Sequence, residues 1–239
     1  MKELSKSTPD LDSENDIPHI DDENESNQAY SDALASDPVA RCRSLVTTCR
    51  ASGQRREELM NMIKEGNTSN AWGKEDEEDI RLREVQLLRD VDTRWSSTFL
   101  MIDRVLELYP ASSIFSHLGK LLILISLQAI DAFLKQVKQK DITHHALHEI
   151  ELEVLGDICK FLEIPHSIQE LLSAEKTPTL SWVLPEYENM LCMLRDFREA
   201  YPQLRRTVST SIAKIEEYVA KSRKTRIYAL AMSKWRVLS

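Results

Sequence analysis

From Arg94 onward the apolar residues fall at helical spacing. Trp95, Phe99, Ile102, Leu106 and Tyr109 step by four, three, four and three along one face. That is the pattern of an amphipathic helix and not of a strand. Met101, Val105 and Leu108 widen the face, so this helix is expected to be buried on more than one side. Composition agrees. With 5 Gly and 8 Pro the chain has too few turn residues for a β fold, and 42% hydrophobic residues suffice for a packed core. The expected fold class is all-α. Just upstream, Asp90, Asp92 and Thr93 carry short polar side chains that favour helix starts, and the two aspartates read as capping groups. On pattern alone Trp95 reads as a core residue.

The rest of the chain extends the helical reading. Val39, Cys42, Val46 and Cys49 space helically, Ser52-Gly53 interrupts them, and Gly66 reads as a C-cap. Residues 66–79 read as a loop and residues 80–89 as a helix leading into the Trp95 segment. Residues 141–161 form a strong amphipathic pattern, with Leu147, Ile150, Val154, Ile158 and Phe161 in one stripe. Pro165 is expected to break that helix before a short one carrying Ile168, Leu171 and Leu172. Thr177 or Thr179 then caps a helix with Leu184, Tyr187, Leu191, Leu194 and Phe197 inward. A last long helix starts near Gln203, with Leu204, Val208, Ile212, Ile215 and Val219 inward.

Charge divides the chain. Residues 1–40 hold eleven Asp/Glu and two Lys, a balance of −9, against −8 for the whole chain. The acidity therefore belongs to one end. Residues 1–37 are also rich in Ser and Asn and poor in apolar clusters, and they read as a disordered acidic tail. Residues 38–239 read as the helical domain. The four cysteines, Cys42, Cys49, Cys159 and Cys192, form no C-x-x-C pair, so neither a zinc ribbon nor a redox motif is indicated. They read as reduced, buried thiols of an intracellular protein.

Three sets of residues could carry chemistry. Arg41, Arg43, Arg50, Arg55 and Arg56 occur with no acid among them until Glu57; they read either as a phosphate-contacting patch or as a solvated helix face. From Arg205 onward nine basic residues face two acids, which suits either a DNA backbone or the dipole of a long helix. His144 and His148 lie one turn apart, but no third ligand and no His-Glu-x-x-His pattern accompany them, so no metal site is assigned.

The letters add a resemblance. Asp90-Val91-Asp92-Thr93-Arg94-Trp95, with Ser97-Thr98-Phe99 and Met101-Ile102-Asp103-Arg104, resembles the Arg-Trp motif of the hobo–Activator type (hAT) transposases. Arg50-Ala51-Ser52-Gly53-Gln54-Arg55-Arg56 is similar to the preceding segment of fungal members. Thr177-Pro178-Thr179-Leu180-Ser181, with Val183-Leu184-Pro185 and Tyr187, is similar to a downstream segment, and Lys214 to Tyr218 with Ile227 to Met232 to a later one. The resemblance spans most of residues 38–232.

The resemblance implies the helical insertion domain of an RNase H-like transposase, a nuclear protein that handles transposon-end DNA. In that family three acids hold divalent metal, Mg or Mn, for strand cleavage and transfer. By the resemblance two of them, and a Cys-x-x-His element, would lie upstream of this chain and the third beyond it. The chain then reads as a middle piece, catalytically incomplete by itself, and no catalytic residue is assigned. The family's Trp stacks on a flipped base, which carries over to Trp95 with Arg94 as its phosphate partner. Arg55 and Arg56 join them as candidate DNA-binding residues. DNA and a second copy of the chain are the expected partners; no membrane and no small-molecule substrate is expected. Relatives pass almost directly from the equivalent of Pro110 to that of Ala129, so residues 111–128 read as a foreign insert, either retained intron sequence or a genuine helix extension. Residues 233–239 depart from the family pattern. The alternative is a domesticated all-helical module that binds protein partners and has no DNA role.

Overall fold

The computed structural model describes residues 21–72, 74–75, 78–91, 94–109, 129–173 and 180–225. Residues 1–20, the insert at 111–128, Thr177, Thr179 and the tail at 233–239 lie outside them, as do Asp92 and Thr93. Among the described residues the architecture is all-α. The helices are α1 (Asp21–Ala35), α2 (Pro38–Cys49), α3 (Gly53–Ser69), α4 (Trp95–Leu108), α5 (Ala129–Leu134), α6 (Glu149–Ser173), α7 (Leu180–Ala200) and α8 (Arg205–Arg223). A minimal antiparallel ladder pairs Lys74 with Asp79 and Glu75 with Glu78.

The core has two parts, and α6 belongs to both. In the first, Leu45 and Val46 of α2, Ile63 of α3, Met101, Ile102 and Val105 of α4 and Phe133 of α5 close over Leu152 and Leu155 of α6. In the second, Ile164 and Ile168 of α6 meet Leu191 and Leu194 of α7 and Val208 and Ile212 of α8. The stripes of α4, α7 and α8 thus face inward as their spacing predicts. Pro165 does not end α6. A proline in mid-helix forfeits one backbone hydrogen bond, but the apolar residues on either side, Ile164 and Ile168, are 8% and 6% exposed, and that packing holds the helix together.

Several expectations are corrected. The acidic segment is helical from Asp21, not disordered to residue 37. Tyr30 and Ala33 sit one turn apart against Val154, with Leu34 beside them, and the Tyr30 hydroxyl donates to Asp157 Oδ2 at 3.0 Å. Three apolar residues at helical spacing are enough to seat this helix on α6, although its average composition resembles a tail. Asp37, at φ 55°, ends the segment and caps α2, its carboxylate accepting from the Ala40 N–H at 3.0 Å.

Gly66 is not a cap. α3 runs past it to Asn70, whose φ of 51° makes the left-handed turn. Gly66 faces the buried Trp72 ring instead, and a Cβ there would lie 1.9 Å from a ring carbon. Residues 80–91 form neither helix nor strand. Side chains satisfy their backbone: Asn67 Nδ2 donates to the Leu82 carbonyl and Asn67 Oδ1 accepts from its N–H, Arg50 donates to the Leu87 carbonyl, and Arg104 donates to that of Gln86. Leu82 and Leu87 still reach the core.

The helix expected from Asp141 begins only at Glu149, after single 3-10 turns at Val137–Gln139 and Thr143–His145. There Glu151 Oε2 accepts from the His148 N–H at 2.8 Å, one half of a capping box. Cys42, Cys49 and Cys159 are buried free thiols, each pushed up to about 12 by burial, whereas Cys192 is exposed. No helix among the described residues is long and apolar enough to cross a membrane.

Candidate nucleic-acid interface

The turn that carries Arg94 and Trp95 is pinned from below by Asp90. Its side chain is wholly buried. One carboxylate oxygen accepts from Arg43 Nε at 2.9 Å and Nη2 at 2.5 Å. The carboxylate also accepts from the Ser97 hydroxyl at 2.8 Å and the Thr98 hydroxyl at 3.1 Å. Ser97 Oγ in turn accepts from the Val91 N–H at 2.9 Å. Burial alone would raise the Asp90 pKa, but the bonds from Arg43, Ser97 and Thr98 outweigh it and hold the carboxyl below its ordinary value. Asp90 is therefore not a cap in the backbone sense. It grips the first turn of α4 through two hydroxyls.

Among the described residues no side chain caps the start of α4. Arg94 is the N-cap residue and makes no side-chain cap bond. The first N–H groups of such a helix lack intrahelical partners and carry the positive end of its dipole. Arg94 is exposed, and no described side chain pairs with its guanidinium. Next to it Trp95 is 41% exposed, not buried as its place in the stripe predicts. It is the first residue of the helix, and its ring projects past the end of the core. His166 of α6 holds the base of this arrangement. Its ring lies 4.5 Å from the Phe99 ring and edge-on to Trp95 at 6.4 Å, and its Nδ1 is 2.8 Å from Ser96 Oγ.

Trp95 forms part of the wall of an open cleft of about 440 Å³. α6 contributes Ile168 and Gln169, α7 contributes Tyr187, and α8 contributes Ile215 and Tyr218. Sequence reasoning singled out neither His166 nor Gln169. They are 71 and 74 positions from Trp95 in the chain, and only the packing of α4 on α6 brings them to it; no local spacing signals that.

The other candidates do not gather here. Arg55 pairs with Asp141 at 2.5 Å, and Arg56 Nε donates to the Ser52 carbonyl at 3.3 Å. Arg41 pairs with buried Glu151 at 2.5 Å, Arg43 with Asp90, and Arg50 with the Leu87 carbonyl. Arg41, Arg43, Arg50 and Arg55 are thus each engaged by another part of the chain, and Arg56 by the start of its own helix. On α8 most of the bases are also paired. Lys214 and Lys221 share Glu217, whose carboxyl they draw down to about 2 by hydrogen bonding. Arg223 pairs with Glu188, and Arg205 with Glu199. His144 lies in a 3-10 turn and His148 just ahead of α6. Among the described residues no three His, Cys, Asp or Glu side chains gather as a metal site.

The chain matches no family model, no curated protein and no solved structure.

Proposed function

We propose that this chain is the helical, DNA-contacting piece of a hAT-type transposase, the insertion domain of an RNase H-like core, nuclear and without cleavage activity by itself. The observation that carries the reading is the exposed Trp95 beside Arg94, which has no partner among the described residues, at the start of α4 and over a cleft. An exposed indole gives a base a face to stack on. An arginine and the positive end of the α4 dipole give the adjoining phosphate a counter-charge. The ordered run of family-like motifs supports the same reading.

Trp95→Ala is expected to weaken binding to DNA with unpaired bases by about 1–3 kcal/mol while leaving the melting temperature nearly unchanged. Arg94→Ala should weaken binding to all sequences alike and lower the salt-dependence slope by about one. Titrations across salt, alongside thermal melts, measure both. Unchanged affinity in both variants would sink the reading. A melting loss from Trp95→Ala with no change in affinity would return Trp95 to the core.

The purified chain with Mg²⁺ or Mn²⁺ is expected to leave transposon-end DNA intact on a nicking gel, because by the resemblance the metal-holding acids belong to other parts of the enzyme. Metal-dependent cleavage that survives repurification would overturn this.

One observation favours a second reading. The cleft wall is mostly apolar, and Tyr218 on it is 54% exposed, which fits an amphipathic helix of a protein partner. A chain with no measurable DNA affinity at low salt would favour that module over the transposase piece.

A further inference from the structure

We propose that Gln169 reads the hydrogen-bonding edge of an unpaired nucleobase seated in the cleft beside Trp95. This rests on the DNA-contacting reading above and adds the residue that distinguishes a base from any other flat apolar group. Gln169 is exposed, lines the same cleft as Trp95, and has no hydrogen-bond partner among the described residues. Around it the wall is largely apolar, supplied by Ile168, Ile215 and the rings of Trp95 and Tyr218. In such a wall an amide, with a donor and an acceptor side by side, is matched by the paired donor and acceptor on the edge of a base. A cleft of about 440 Å³ falls within the roughly 300–1,000 Å³ range of sites for small organic groups.

Charge lies on both sides. Arg94 stands beside Trp95. Across the cleft Lys214 and Lys221 flank the Tyr218 ring, 5.2 and 6.0 Å from its centre. The two lysines share one carboxylate, Glu217, which leaves a net positive charge on that rim. A nucleotide entering base-first would place its phosphates toward these cations.

The test uses the full chain and hairpin DNA with a one-nucleotide overhang carrying adenine, an apolar adenine isostere without hydrogen-bonding groups, or no base. The wild-type chain should bind the adenine overhang about tenfold more tightly than the isostere. Gln169→Ala, a change at an exposed position checked by thermal melting, should bind the two equally and both more tightly than the abasic overhang. Equal binding of adenine and isostere by the wild-type chain, or an unchanged preference in Gln169→Ala, would overturn the role of Gln169 and leave base stacking on Trp95 standing. Binding of the abasic overhang as tight as that of adenine would overturn base recognition and Gln169 together.

Discussion

Trp72→Ala is expected to destabilise the protein by about 3–5 kcal/mol, the cost of emptying a large buried aromatic site. The ring is 2% exposed and sits in the first core part. Its Nε1–H donates to Asn67 Oδ1 at 3.0 Å. The same Asn67 fastens residues 80–91 through Leu82, so the truncation also frees a partner of that segment. Gly66 supplies a sharper test. Ring atoms stand 1.9 and 2.2 Å from where its Cβ would be. In the wild-type background Gly66→Ala should therefore cost about 1–3 kcal/mol by overpacking. In the Trp72→Ala background the same change should reverse sign, because the clash is gone and alanine is favoured over glycine in a helix by about 1 kcal/mol. Urea midpoints for the four proteins of the cycle measure this. The same effect of Gly66→Ala in both backgrounds would refute the close packing of ring on helix.

Asp90→Ala should cost about 3 kcal/mol, within the range for removing one partner of a buried hydrogen-bonded charge pair. It strips an acceptor from Arg43, Ser97 and Thr98 at once. Asp90→Asn keeps the shape and removes the charge, so it tests the electrostatics alone. The folded pKa of Asp90 is depressed below its unfolded value. Its ionic contribution is therefore complete above about pH 4, the ordinary aspartate value, and is lost as pH falls through the lower folded value. The stability gap between wild type and Asp90→Asn should be constant from pH 7 to about 5 and should close in stronger acid. A gap that persists undiminished at pH 2 would mean that shape, not charge, holds the turn.

What the sequence made legible was periodicity. The inward faces of α4, α7 and α8 follow from spacing because every third or fourth residue must share a side. What it did not make legible was long-range pairing. Arg43 and Asp90 are 47 residues apart, and Arg55 and Asp141 are 86 apart. Read locally, such arginines look free. Composition misled at Asp21–Ala35, where Tyr30, Ala33 and Leu34 outweigh many polar neighbours. Punctuation misled at Gly66 and Pro165, where glycine makes room for a ring and proline is carried by the packing around it. At the candidate site, the position of Trp95 was legible but its exposure was not. A stripe gives the direction of a side chain, not whether the core extends far enough to cover it.

The unbroken passage of α6 through Pro165 has a mechanical consequence. Proline brings no N–H, so the rung between Phe161 and Pro165 is missing from the helical ladder. The gap falls where α6 passes from the first core part, whose last buried residue on it is Cys159, to the second, which begins at Ile164. Taken alone, a helix bends most easily at such a missing rung. α6 lines the cleft only from Pro165 onward, with Trp95 on the α4 side and Tyr187 and Tyr218 on the α7–α8 side. α4 crosses the gap: its start is held to His166, and its later turns at Met101, Ile102 and Val105 share the first core part with Leu152 and Leu155, so α4 acts as a splint over the one weak rung of α6.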